Sequence, residues 1–167
     1  MNYALRSLGG RALSTGELRQ KLRQRAELAG DVDPVLAKLK EAGYLNDRRY
    51  AESFAAARLE NDGHGRGRVL RDLQVHRVAP KLAEEVVQGA FAGTDEVDLI
   101  EAYLNRKYRG KDLPVWLGEE KNLASAFRRL RYAGFSTGNS IRVLKRYAAK
   151  ADDLEEAADS EAPAVEE

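Results

Sequence analysis

The side chains in this sequence with the most pronounced chemistry are arginines. Arg19, Arg23, Arg66, Arg68, Arg71, Arg128, Arg129 and Arg131 fall at helical spacing in three separate stretches, and Arg48 stands in a fourth. A guanidinium is permanently charged and presents a planar fork of donors, so such a set suits phosphates or carboxylates of a partner. The plainer alternative is a solvated basic face. Catalytic chemistry has no comparable support. His64 and His76 lack cysteines or paired carboxylates at ligand spacing. Glu84-Glu85 and Glu119-Glu120 are chain neighbours, which do not share a helix face. Serines and threonines stand mainly where helices should be capped, so no activated nucleophile can be named. The expectation is a binding protein: not an enzyme, with no catalytic residue, no metal and no cofactor.

Charge distribution supports a polyanionic or acidic partner. The 167-residue chain carries a formal charge of only +1, yet all 28 Lys and Arg lie at or before Lys150. Eight of the 27 carboxylates fall in residues 151–167, leaving 19 in residues 1–150 and a net +9 there. A basic body of this kind attracts polyanions and releases their counterions on contact. The absence of cysteine points to a reducing compartment. No leader pattern opens the chain and no apolar run approaches about 18 residues, so a soluble, cytoplasmic protein is expected, with no membrane contact.

The elements that must position these arginines read as helix after helix, because apolar residues recur at intervals of three and four and rarely alternate. Ser14 with Glu17 forms a capping box. Pro34 starts the next helix, and Gly43 ends it as a left-handed cap on which Tyr44 or Leu45 folds back. Further helices are expected at about 47–60, 66–76, 80–91, 95–109, 122–133 and 137–149. The middle helix of each triplet fits one register: ELRQKL at 17–22, RVLRDL at 68–73 and SAFRRL at 125–130. Leu22, Leu73 and Leu130 then coincide. The longer second interval is accounted for by RGKDLPVWLGEEK at 109–121, where Trp116 is expected as a packing anchor.

The resulting fold class is all-α, with three-helix repeats at 1–45, 46–93 and 94–150 stacked into an elongated, curved body. Stacking sets the middle helices side by side and their arginines into one stripe. Residues 151–167 hold no cation and no aromatic residue, and are expected to form a disordered acidic tail. Gly63-His64-Gly65-Arg66-Gly67 lacks the strand and the Lys-Ser or Lys-Thr pair of a phosphate loop, and is expected to swing one helix into the next. LSTGELRQKL followed by VLAKLKEAGYL suggests a helix-turn-helix, but helical sequence follows where a winged-helix protein would have a hairpin.

The stretch GYLNDRRYAESFAAAR at 43–58 resembles the GYLDD-x-RFA signature of the bacterial RecX family. Gly43, Tyr44, Leu45, Asp47, Arg49, Tyr50 and Ala51 match it. SxxELRQKL before it, Gly65 to Leu73 after it, NRKYRG at 105–110 and FRRLRYAGFS at 127–136 follow in the family's order, over residues 4–148. The resemblance implies three tandem three-helix repeats and a non-enzymatic, monomeric modulator of the recombinase RecA. It implies binding in the groove of the RecA–DNA filament, inhibition of filament growth, ATP hydrolysis, strand exchange and coprotease activity, and a bearing on DNA repair, DNA recombination and the SOS response. Direct DNA contact would be weak. A helix-turn-helix-like protein that binds DNA without RecA is the alternative. Asn46 departs from the signature's Asp, and Arg77 stands where a glycine normally ends the fifth helix. Within the signature Arg49 is expected to be tied to a carboxylate, leaving Arg48 as the contact residue.

Overall fold

The computed structural model describes residues 1–26, 29–148 and 151. Every regular element among them is helical. In order these are α1 (Asn2–Gly10), α2 (Thr15–Arg23), a 3-10 turn (Ala29–Asp31), α3 (Val32–Glu41), α4 (Asp47–Ala57) and a π-helical turn (Arg58–Asp62). They are followed by α5 (Arg66–Val75), α6 (Pro80–Ala90), α7 (Glu96–Lys107), α8 (Leu113–Leu117), α9 (Glu120–Tyr132) and α10 (Thr137–Leu144).

Local sequence explains the boundaries. Ser14 accepts the Glu17 N–H at 3.0 Å while Glu17 accepts the Ser14 N–H at 3.1 Å, so the capping box at α2 is complete. Asn46 caps α4 by accepting the Arg49 N–H at 2.9 Å, and Ser136 caps α10. α3 begins at Val32 rather than at Pro34, which occupies its first turn, where a missing N–H costs nothing. Gly43, with φ 75°, closes α3 in a Schellman turn: Tyr44 N–H reaches Leu39 O at 2.9 Å and Gly43 N–H reaches Lys40 O at 3.0 Å. Leu45 is the residue that folds back, into the core; Tyr44 stays 60 % exposed.

Three helices depart from the spacing expected of them. α4 loosens into a π turn after Ala57, α7 ends at Lys107 and α10 ends at Leu144. The remainder of the expected α10 includes Ala149, which lies outside the described residues. The segment at 109–121 is not a plain loop, since α8 sits within it and α9 starts at Glu120. Trp116 anchors it, with its ring centroid 4.2 Å from that of Tyr108 and the Lys111 ammonium 5.2 Å from the ring.

The chain forms two compact units. The first comprises Met1–Glu60 and Val69–Ala92. Ala4, Leu13, Leu18, Val32, Leu36, Leu39 and Leu45 make one core in it, where α2 packs on α1 and α3. α4 packs on α6 beside buried Ala51, Ala55, Ala83, Val86 and Val87. The second unit comprises Asn61–Arg68 and the chain from Gly93 onward. Its core joins Ile100, Leu104, Leu117, Leu123, Leu130, Phe135 and Leu144 from α7 to α10. Each fully buried Leu or Ile here contributes about 1.5–3 kcal/mol of transfer free energy. Ala151 is buried in this core; the rest of the acidic tail, expected to be disordered, lies outside the described residues.

Candidate functional site

The three-way register of the sequence has a tertiary counterpart, a joint that occurs twice. In the first unit the start of α2 meets the turn that ends α5. Ser14 Oγ donates to the His76 carbonyl, and Gly16 lies so close to Arg77 that a Cβ there would stand 2.5 Å from the Arg77 Cβ. In the second unit the start of α5 meets the turn that ends α9. Gly65 N–H donates to Ala133 O at 2.8 Å and Gly67 N–H to Gly134 O at 3.0 Å. Aligning Leu22, Leu73 and Leu130 superposes Ser14 on Gly65, Gly16 on Gly67, His76 on Ala133 and Arg77 on Gly134.

Both receiving turns are Schellman motifs. Val78 N–H bonds Leu73 O at 3.0 Å, and Phe135 N–H bonds Leu130 O at 3.2 Å. The left-handed residue is Gly134 (φ 93°) in one and Arg77 (φ 58°) in the other, the one non-glycine with positive φ among the described residues. A side chain in that conformation costs roughly 1–2 kcal/mol. This answers the question raised by Arg77: the turn keeps its shape and the residue carries the strain.

The first joint is ringed by ionisable groups. Glu17 Oε1 lies 2.8 Å from Arg11 Nη2 and 3.0 Å from His76 Nδ1. Burial alone would raise the Glu17 carboxyl, but the bonds from Arg11, His76 and the Ser14 N–H outweigh it and hold it below its ordinary value. The Tyr50 hydroxyl is pushed up to about 12, first by burial and then by the Glu17 charge. Asp47 of the GYLNDRRY stretch accepts the Thr15 N–H at 2.7 Å, so its carboxylate serves the start of α2 rather than its own helix.

The rest of that stretch borders a cleft of about 740 Å³ lined by Arg11, Tyr44, Arg49, Tyr50, Phe54 and His76, among others. Phe54 and His76 meet edge to face at 5.0 Å, and Arg58 stands 4.9 Å over Phe54. The carboxylate tie expected of Arg49 is made by Arg48 instead. Arg48 is tied to Glu85 at 2.8 Å, whereas Arg49 makes no ion pair among the described residues and faces the cleft. Helical geometry decides this: Arg48 projects from α4 toward its packing partner α6, which carries Glu85.

A second cavity, of about 440 Å³, is lined by Gly16, Arg19, Gln20, Arg23, Gln24 and Arg77. Arg19 also pairs with exposed Asp33 at 3.3 Å. The other candidate arginines are distributed as follows. Arg71 is exposed and belongs to the first unit. In the second, Arg68 lies 4.6 Å over the Tyr132 ring and the Arg66 charge acts on Glu96. Arg128 is exposed; Arg129 stands beside the Tyr108 hydroxyl, and Arg131 donates to Phe135 O in the Schellman turn. Arg131 and Arg129 therefore have internal partners. Sequence reasoning missed Gln20 and treated Arg77 only as a departure. The available signal was the register itself, which puts Arg77 at the place of Gly134.

In the second unit Glu96 plays the part of a cap from outside. It accepts the Ser136 N–H at 2.9 Å and the Asn139 amide at 2.6 Å, together with the Ser136 hydroxyl. Burial would raise its carboxyl; these donors reverse the shift and hold it low. Arg106 closes the π turn by donating to the carbonyls of Asn61 and Asp62.

An all-helical chain, in which the start of one helix meets a Schellman turn once within each unit, has the make-up of a protein built from small helical domains. Residues 1–39 match the family model described as "RecX, first three-helix domain", and residues 46–87 match "RecX, second three-helix domain". Proteins named regulatory protein RecX are similar over most of the chain. The one from Halorhodospira halophila is 36 % identical, over 92 % of this chain and 88 % of its own. The one from Vibrio vulnificus is 33 % identical over 80 % and 82 %, and that from Trichlorobacter lovleyi 34 % over 65 % and 71 %. The chain belongs to the RecX family. The fold of the crystal structure of RecX from Lactobacillus salivarius is shared, with a TM-score of 0.63 at 19 % identity over 87 % of this chain and 92 % of that one. Among the described residues no helix is long and apolar enough to cross a membrane.

Proposed function

We propose that this chain modulates the RecA recombinase by lying, as a cytoplasmic monomer, in the groove of the RecA–DNA filament, where it restrains filament growth, ATP hydrolysis, strand exchange and coprotease activity and so bears on DNA repair and the SOS response. It acts by occupying a surface and not by catalysis. Membership in the RecX family carries this reading, and the +9 charge of residues 1–150 supports it, since a filament on DNA is strongly anionic. The three-helix repeats at 1–45, 46–93 and 94–150 are proposed as the units that follow the groove, and the arginine stripe as their contact face. Within that stripe Arg23 and Arg128 are the preferred contacts, because both are exposed and neither has an ion pair among the described residues. Arg129 and Arg131 also serve the fold.

The test is RecA-dependent ATP hydrolysis on single-stranded DNA with and without the chain. Inhibition at low stoichiometry is expected, weakened at least tenfold by Arg23→Glu with Arg128→Glu; an ATPase rate unchanged by equimolar protein would overturn the proposal. A helix-turn-helix-like DNA binder acting without RecA is the second reading, favoured by the donor-rich cavity along α2. It predicts the same affinity for DNA whether or not RecA is present.

A further inference from the structure

The cavity along α2 has a lining with one chemical preference. Arg19, Arg23, Arg77, Gln20 and Gln24 supply donors, Gly16 supplies space, and no apolar or acidic side chain takes part. We propose that this cavity, with Arg77 in its lining, binds a phosphate of a nucleic-acid backbone. The inference deepens the reading above by naming what Arg19 and Arg23 meet. It rests on that reading only in taking nucleic acid to be within reach.

Three observations converge on Arg77. It holds a left-handed conformation, φ 58°, at a place where the equivalent turn uses Gly134, so the side chain is retained despite a backbone cost. Its Nε donates to Gln20 Oε1 at 2.7 Å, which orients the guanidinium and leaves both Nη nitrogens to a ligand. Its backbone is held against Gly16, where an added Cβ would stand 2.4 Å from the Arg77 carbonyl oxygen and 2.5 Å from the Arg77 Cβ, so the turn that carries the guanidinium is fixed on α2. A guanidinium already ordered by the fold loses little further freedom on binding. Arg19 and Arg23 stand one helical turn apart, about 6 Å along the axis, and complete a set of three guanidiniums, of which Arg19 is shared with exposed Asp33 at 3.3 Å. Donors that approach from α2 on one side and from the turn after α5 on the other suit a phosphate, whose acceptors point in several directions, while a carboxylate offers two acceptors in one plane.

The experiment titrates the full-length chain with a fluorescein-labelled single-stranded oligonucleotide across a salt series, without RecA, so that its failure and that of the ATPase test are read separately. Arg77→Gly removes the guanidinium and relaxes the backbone together. The expected result is a variant that melts no lower than the parent, binds about tenfold more weakly at low salt, and has a log-affinity against log-salt slope smaller by about one. Should the glycine variant melt lower, Arg77→Asn, which tolerates the left-handed region, is read by the same two measures. Arg23→Gln must weaken binding as well. Unchanged affinity and slope in these variants overturns the proposal. So does a loss confined to a labelled poly-glutamate probe, which would assign the cavity to an acidic protein segment.

Discussion

The two joints use the same positions and opposite materials. Where α5 meets α9, contact is made by backbone: Gly65 and Gly67 donate N–H groups to Ala133 and Gly134, and the missing Cβ atoms let the chains close. Where α2 meets α5, side chains do this work. Ser14 Oγ replaces a backbone donor, Asp47 holds the next N–H, and Glu17, Arg11 and His76 surround the contact. A backbone joint tolerates almost no substitution and is indifferent to pH. A side-chain joint can be weakened in steps, and part of its strength depends on charge.

Breaking the backbone joint should have the largest effect. A Cβ at Gly134 would fall on the Arg68 backbone nitrogen and 2.6 Å from its Cβ, at a φ that already disfavours any side chain. Gly134→Ala is expected to cost about 3–4 kcal/mol from strain and overpacking combined. Urea denaturation measures it, and a loss under about 1 kcal/mol would remove the claim that this contact is rigid.

Gly16→Ala tests the matching position in the other joint. It should cost less, about 2 kcal/mol, because Gly16 has no left-handed φ to strain, although an added Cβ would meet the Arg77 carbonyl oxygen at 2.4 Å as well as the Arg77 Cβ at 2.5 Å. Combining it with Arg77→Gly should recover a portion of that loss in a double-mutant cycle; simple additivity would mean that the two residues do not press on each other.

Ser14→Ala removes the α2 cap and the bond to His76 O together, for an expected loss of about 1–2 kcal/mol. If thermal melting places the variant within experimental error of the parent, the hydroxyl bridge contributes nothing.

Glu17→Gln gives the smallest effect and the one that separates the joints by pH. The Glu17 carboxyl is held below its ordinary 4.5 in the folded chain, so its contribution is fully present above that value and disappears as pH falls through the lower folded one. The variant should lose some stability at neutral pH and approach the parent in acid. Glu96 in the second unit is shifted in the same direction, so some acid sensitivity persists in the variant. Parallel melting curves for parent and variant from pH 7 to pH 3 would show that Glu17 is not linked to folding.

Much of this architecture was legible in the order of residue types. The capping box at Ser14, the Schellman glycines at 43 and 134 and the shared register of Leu22, Leu73 and Leu130 rest on local rules, and each stands where those rules put it. Asn46 as a cap was legible for the same reason. The assignment of Arg48 and Arg49 failed because adjacent residues on α4 differ by about 100° in direction, and only the packing of α6 decides which one meets Glu85. Tyr44 could not be divided from Leu45 by sequence, since either can follow a left-handed cap; burial chose Leu45. The division of the chain within α5, between Arg68 and Val69, has no local mark at all.

The sequence by itself determined that the protein is helical, where most helices start and stop, that a three-helix pattern recurs, and that its first 150 residues are basic. These follow from contacts within about one helical turn and from composition. Tertiary structure alone decided that the pattern's equivalent positions touch one another, Ser14 on His76 as Gly65 on Ala133, and that Arg77 keeps the left-handed conformation that Gly134 has in the matching turn. Those contacts join residues more than sixty positions apart, whose meeting depends on how whole helices pack and not on any local preference.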